Sequence, residues 1–475
     1  MTLLGAVVPG AGYVWAGRRL GYLLMASTVA AEVLLIAYAS DFDSLVALAV
    51  DPSRLMVFSV ALPVAFAVWA FVVLTTYRMV RPVEMPRRRR VGGAVFVCAL
   101  CVLVAVPVVQ AVRYAATQRD LVTSVFTGNR TATAPSDVSD VDPWGGRKHV
   151  GVLILGGDSG PGRYGTRTDT VALLDVDTRT GKSVLFSLPR NMMNAQFPPD
   201  SPLHDVYPDG FRGDGDPAAY MLNAVYGQLP VLHPGILGKS DNEGADALKQ
   251  AVAGTLGSRV DYYVMVDLQG FPKIVDAMGG VTVNINEPVA IGGNTDRGIP
   301  PDAYLEPGPD QHLDGFHALW FARGRYGSDD YQRMLRQRCM IDALIAEANP
   351  LNLLRRYQDL AAAGKVILRT DIPQELLPAF VDLAGKVKEH DIRSVAFVSS
   401  EKFFSGDPDF NWMQQVVDRA LDPPAPGTVR TPDRSPEEPD DTERPDDATE
   451  VTEEDDPGAS VTVAETCGYV PTGTS

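Results

Sequence analysis

Histidine and cysteine are scarce in this chain, with six and four copies in 475 residues. His149, His204, His233, His312, His317 and His390 show no zinc-ligand spacing. The sequence has no Gly-x-Ser-x-Gly elbow, and neither Cys339 nor Cys467 stands in the context of a nucleophile. A Walker A loop is missing as well. Gly181-Lys182-Ser183 has Val176 where the first glycine of that loop belongs, and Val184-Leu185-Phe186 after it reads as strand, so the segment is expected to be a hairpin turn. Excess positive charge is also lacking. The formal net charge is −17, no helix-turn-helix pattern is evident, and a nucleic-acid partner is not expected.

Much of the negative charge is local. Residues 422–459 are rich in Pro, Thr, Glu and Asp and read as a disordered acidic linker. The folded part is therefore only mildly acidic, and arginine clusters within it stand out.

Long apolar runs are present near residues 23–38, 55–77 and 91–112, close to the ~20 residues that cross a bilayer. A signal peptide is the rival reading of the N-terminus, but no charged region precedes it and two more apolar runs follow. Arg78, Arg81 and Arg87 to Arg90 lie between the second and third runs, whereas Asp41, Asp43 and Asp51 follow the first. The arginine loop is therefore expected in the cytoplasm, with everything after Arg113 outside. A two-span chain whose first run is not inserted gives the same outcome. Residues 1–112 are thus expected to be a membrane region, 113–148 an extracytoplasmic stalk, 149–421 a catalytic domain, and 460–475 a C-terminal segment. Cys339 and Cys467 both fall outside, where a disulfide can form and pin that last segment; two unpaired thiols are the alternative.

Within the domain, strands are expected at 149–155, 170–176, 183–188, 262–267 and 281–285. Helices are expected at 218–226, 244–256, 268–278, 314–323, 329–348 and 373–387. This alternation predicts an α/β fold, with a central mixed β-sheet flanked by helices on both faces and preceded by transmembrane helices.

Three arginine-and-acid clusters carry the chemistry. Arg167-Thr168-Asp169-Thr170 follows a glycine-rich turn holding Asp158; Arg190 follows Leu188-Pro189; and Arg323-Gly324-Arg325 precedes Asp330, Arg333, Arg336 and Gln337. Helical spacing puts Asp330, Arg333 and Gln337 on one face, with Arg336 further round. Guanidinium forks fit phosphate oxygens, and interspersed carboxylates suit a divalent cation. Alone, the first cluster reads equally well as a surface ion pair and Arg190 as a solvated cap; the Arg323–Gln337 segment is the stronger signal, its alternative being a solvated helix face with an i, i+3 ion pair. Together they suggest phosphoryl transfer, and a site outside the cytoplasm needs a substrate that brings its own activated phosphate.

Read in order, Leu155-Gly156-Gly157-Asp158, Arg167 to Thr170, Ser187-Leu188-Pro189-Arg190, Leu222 to Tyr226, Val260 to Tyr263, Gly270-Phe271, Val275 to Val281, Leu313-Asp314-Gly315 and the arginine helix resemble the LytR-CpsA-Psr cell-wall ligases of the actinobacterial type. The resemblance covers about residues 150–348. It implies a membrane-anchored phosphotransferase that moves a glycopolymer from a polyprenyl-pyrophosphate carrier to a peptidoglycan acceptor, with accompanying pyrophosphatase activity. It implies a pyrophosphate clamp of Arg167, Arg190, Arg323, Arg325, Arg333 and Gln337. Mg²⁺ or Mn²⁺ would sit on the side of Asp169 and Asp330 with Asp158 nearby, and Asp158 or Asp169 is a candidate base. Asn191, where many members have Asp, and Met221, where a Lys often stands, depart from the family pattern. A lipid-pyrophosphate hydrolase and a membrane-bound transcriptional attenuator are the alternatives.

Overall fold

A computed structural model describes residues 6–82, 86–126, 131–139, 141–158, 167–268, 270–295, 298–347, 361–364, 367–422, 461–462 and 466–470. The chain divides into two compact units, one built on residues 1–128 with 356–365 and 373–381, the other on 129–355 with 366–372 and 382–475.

The first unit holds α1 (Ala11–Trp15), α2 (Leu20–Ser40), α3 (Phe42–Val50), α4 (Pro52–Val80) and α5 (Arg87–Val125). Among the described residues, α2, α4 and α5 are long and apolar enough to cross a membrane. Most of their side chains face outward; only a few, such as Val72, Val73 and Val97, are buried. Asp51 caps α4, accepting from the Ser53 backbone N–H at 2.7 Å. The α5 helix runs 39 residues, about 58 Å. It continues unbroken through the start of the expected stalk, because residues 113–125 keep a helix-compatible sequence with no Gly or Pro to stop it.

In the second unit, β1 (His149–Asp158), β2 (Arg167–Asp177) and β3 (Ser183–Leu188) form an antiparallel meander. The β2–β3 connection is the expected hairpin. Asp177 accepts from the backbone of Arg179 and Thr180 at 3.0 and 2.7 Å, and Gly181 takes a φ of 79°. Next come α6 (Pro202–Val206), α7 (Leu222–Leu232), α8 (Glu243–Leu256), β4 (Tyr262–Asp267), α9 (Phe271–Met278), β5 (Val281–Ile285), β6 (Val289–Asn294), β7 (Ile299–Leu305) and β8 (Gly308–Leu313). They are followed by α10 (Gly315–Arg323), α11 (Asp330–Glu347), β9 (Leu368–Thr370), α12 (Leu377–Val387, which starts among the residues of the first unit), β10 (Arg393–Ala396), α13 (Phe410–Leu421) and β11 (Val461–Thr462).

Seven strands make one sheet in the order β11-β10-β3-β2-β1-β4-β9, with β4 parallel to β1 and β10 parallel to β3. It is a mixed sheet, as expected. One face buries Leu153, Leu173 and Phe186 against α7, α8 and α13; the other buries Ala172 and Leu185 against Ile341 and Ile345 of α11. A second core, with Val275, Val281, Val289, Leu313 and Phe321, joins α9, the two-stranded sheets β5–β8 and β6–β7, and α10. That core orients α10 and α11, the two helices that carry the late arginines.

The helix expected at 218–226 is displaced. A 3-10 turn occupies Pro217–Ala219 and α7 begins only at Leu222, since Pro217 permits a helical start there but Tyr220 breaks the run. The expected disordered linker lies outside the described residues.

Candidate phosphate-binding site

Register brings the first two arginine clusters together. The β2–β3 pairing of Val171 with Leu188 extends outward, so Asp169 falls opposite Arg190. Arg190 donates from Nη1 to Asp169 Oδ1 at 2.7 Å, and its Nε lies 3.4 Å from Asp330 Oδ1. The Arg190 carbonyl accepts from the Asn223 backbone N–H at 2.9 Å, which ties this loop to the start of α7. Met221 caps that helix without a side-chain hydrogen bond.

The third cluster closes over the same carboxylates. Arg325 Nη2 lies 3.4 Å from Asp169 Oδ2, and Arg333 Nη2 lies 2.9 Å from Asp330 Oδ2. Gly324 separates the two leading arginines for a steric reason: a Cβ there would stand 2.7 Å from the Ala290 carbonyl oxygen on β6. Arg336 points elsewhere, donating from Nε to the Phe321 carbonyl at 2.8 Å, and so braces the chain after α10. Gln337 donates to the Ala322 carbonyl at 3.3 Å.

Arg333 is the most telling group. It is only 1% exposed, yet its Nε and Nη1 have no hydrogen-bond partner among the described residues. Burial, compounded by Arg325 nearby, pushes its pKa down to about 10. A buried guanidinium with spare donors calls for an anion. The count agrees: Arg190, Arg325 and Arg333 face two carboxylates, Asp169 and Asp330, so positive charge is in excess among these five side chains. Burial alone would raise the Asp169 carboxyl, but Arg190, Arg325 and Arg333 outweigh it and hold that carboxyl below the usual range. Asp169 is therefore ionised and a poor proton acceptor.

These groups border a cavity of about 310 Å³. Asp169, Arg323, Arg325, Arg333 and Gln337 line it together with apolar side chains of β1 and β4 (Ile154, Leu155, Val266), of α9 (Phe271) and of α11 (Met340, Ile341, Leu344 and Ile345). One helix, α11, thus supplies a buried guanidinium at its start and an apolar wall along its length. The apolar wall was not separable from ordinary core in the sequence.

Arg167 opens β2 in register with Asp158 at the far end of β1, but it is not among the residues lining this cavity. The Asp158 side chain and residues 159–166 lie outside the described residues. Asp169 and Asp330, expected on the metal side, have all four oxygens turned toward arginines, and Arg190 stands between them. Among the described residues no three His, Cys, Asp or Glu side chains gather into a metal cage. Cys339 on α11 and Cys467 are joined by a disulfide.

An arginine cluster thus borders an apolar cavity on a mixed α/β sheet, in a chain that also carries helices long and apolar enough to cross a membrane. The chain belongs to the LytR_cpsA_psr family, whose family model matches residues 119–421. It is 24% identical over 323 residues to the polyisoprenyl-teichoic acid–peptidoglycan teichoic acid transferase TagU of Enterococcus faecalis, covering 66% of this chain and 91% of that one. It is 26% identical over 222 residues to the cell wall biosynthesis protein LcpA of Corynebacterium glutamicum, covering 44% of this chain and 38% of that one. Among solved structures, protein gbs0355 from Streptococcus agalactiae aligns at 23% identity with a TM-score of 0.42, covering 60% of this chain and 91% of that one. The LytR-Csp2A-Psr enzyme from Actinomyces oris aligns at 17% identity with a TM-score of 0.38, covering 62% and 96%.

Proposed function

We propose that the protein is a membrane-anchored phosphotransferase that moves a glycopolymer from a polyprenyl-pyrophosphate carrier to peptidoglycan on the outer side of the membrane. The observation that carries this reading is Arg333, a buried cation with unmet donors at the border of an apolar slot. A pyrophosphate meets the donors, and its prenyl tail meets the slot. The relatives named as a teichoic acid transferase and a cell wall biosynthesis protein support the same substrate class.

The chain's own groups would act by exchange. Arg190, Arg325 and Arg333 are held by Asp169 and Asp330 in the absence of substrate and would turn onto the pyrophosphate oxygens when it arrives. That exchange frees the two carboxylates. Their chemistry fits Mg²⁺, which takes one or two carboxylates together with substrate phosphates. Asp169 and Asp330 would hold such a cation, which would supply neutralisation of the pyrophosphate's charge. A sugar hydroxyl of peptidoglycan, by family resemblance the muramic acid C6 hydroxyl, attacks the phosphorus next to the glycan, and polyprenyl phosphate leaves. Positioning and charge neutralisation supply most of the rate in such transfers. Asp158 rather than Asp169 is the better candidate to take the hydroxyl proton, since Asp169 is held ionised by three arginines.

Incubation of the full chain with lipid-linked glycan, with and without peptidoglycan, tests the proposal. A transferase yields a covalent glycan–peptidoglycan conjugate. Release of phosphorylated glycan alone, whether or not acceptor is present, would instead identify a hydrolase. A reporter fused after Val150 is expected to be active outside the cytoplasm, and an inside reading would remove the proposal.

A further inference from the structure

Helix α10 carries an aromatic stripe that ends at the clamp. Phe316 and Trp320 sit one turn apart, their ring centroids 6.4 Å apart and their planes at 66°. The guanidinium carbon of Arg323 lies 5.8 Å from the centre of the Trp320 ring. Phe316 is 51% exposed, in contrast to Ala318 and Phe321 on the opposite side of the helix, which are buried in the core of α9 and the two-stranded sheets. A large apolar ring left in water has an energetic penalty, and here it lies in line with a functional arginine. Polar groups flank the stripe: His317 Nδ1 lies 2.7 Å from Asp314 Oδ1, and both side chains are solvent-accessible.

We propose that Trp320 and Phe316 form a stacking platform for the sugar ring attached to the distal phosphate of the lipid-pyrophosphate donor. The argument rests on the pyrophosphate reading above and on covalent continuity. Arg323 lines the clamp cavity and also covers Trp320, so whatever leaves the phosphate on that side meets the indole next. From Arg323 back to Phe316 is seven residues, about 10 Å along the helix, the length of about two pyranose rings. The C–H face of a pyranose is slightly positive and apolar, and it packs on the negative face of an aromatic ring. Adjacent carboxylate and imidazole groups offer hydrogen bonds to ring hydroxyls. A prenyl tail has no reason to choose this stripe, since the apolar slot serves it. Trp320 would thus be a specificity residue, selecting donors that carry a saccharide.

The test compares two probes on the full chain in lipid nanodiscs: geranylgeranyl pyrophosphate, and the same lipid bearing one N-acetylglucosamine on its distal phosphate. Trp320→Ala is expected to weaken binding of the glycosylated probe about five- to tenfold while leaving the bare pyrophosphate within about twofold. Trp320→Phe should recover most of the loss, and Phe316→Ala should show a smaller one. Equal losses for both probes would overturn the proposal, because Trp320 would then act only through Arg323. An unchanged Kd for both, or a loss confined to the KM of the peptidoglycan acceptor, would also overturn it. If the unmodified protein binds neither probe, the pyrophosphate reading itself falls, and this assignment with it.

Discussion

Arg190 and Asp169 meet at 2.7 Å across the open ends of β2 and β3, in a pair that the strand register itself sets up. Because its own carboxylates already hold the arginine in place, the proposed clamp would exchange one charge partner for another on binding. Such an arrangement makes the arginines matter more for rate than for folding. Arg190→Ala, Arg323→Ala and Arg325→Ala are each expected to lower turnover of lipid-linked glycan about 10²- to 10³-fold. Lysine at these positions should restore only part, since a point charge cannot reproduce the fork. Steady-state rates with the melting temperature measured alongside separate the two effects. Normal turnover in the alanine variants would reduce the cluster to a solvated ion-pair network.

The Asp169 carboxyl gives a pH signature. Its folded pKa is lowered below the ordinary 3.8, so its contribution to stability is complete above that value and is lost as pH falls through the lowered one. In Asp169→Asn that contribution is gone at every pH. The stability gap between the parent and the variant should be flat from about pH 7 to about pH 5 and should shrink below about pH 4. Chemical unfolding at several pH values reads the gap directly.

Lys249 offers a test of a different kind of charge. It is fully buried, donates to Asp371 Oδ2 at 2.7 Å and to the Asp261 carbonyl at 2.8 Å, while Asp371 also accepts from the Tyr263 N–H. Lys249→Met should destabilise the domain by about 3–5 kcal/mol, because Asp371 is left as a lone buried charge. Burial already raises the Asp371 carboxyl despite its lysine. Without the lysine it should take up a proton more readily, so the loss should lessen on acidification. The double variant with Asp371→Asn should be less damaged than the single one. A double-mutant cycle by chemical unfolding measures both.

The Cys339–Cys467 bond closes a span of 128 residues. Reducing it is expected to lower stability by about 2–4 kcal/mol. Because Cys339 lies two residues past Gln337 on α11, affinity for a lipid pyrophosphate should also fall. A Cys339→Ser, Cys467→Ser variant should behave like the reduced protein and ignore added reductant.

β3 and β4, with near-continuous apolar runs, and β5, with alternating apolar and polar residues, were legible to the residue, because each pattern matches the strand's burial. The β6–β7 hairpin was not. Ile299-Pro300-Pro301-Asp302 is exposed and carries two prolines, and Gly292 and Gly293 turn with φ values of 77° and 78°, so neither strand shows alternation. Short β10 and β11 gain their identity from partners distant in the chain and leave no local pattern. For the site, helical spacing was enough to align Asp330 with Arg333, but not to tell that Arg336 would turn back to the Phe321 carbonyl. Phe316 and Trp320 carried no signal in the sequence, because periodicity records a ring's position on the helix and not whether anything lies over it.

The segment beyond the acidic stretch has a part in all of this. It adds β11 to the free edge of β10, ties Cys467 to the helix that lines the slot, and receives hydrogen bonds from Asn284 and Asn286 at 2.9 and 3.0 Å. The sheet edge and the wall of the apolar slot are therefore finished by residues synthesised after the rest of the domain. Full bracing of the slot then waits on the bond between Cys339 and Cys467. A chain cut short within the acidic stretch would carry every arginine of the clamp and still present an open strand edge and an untied helix.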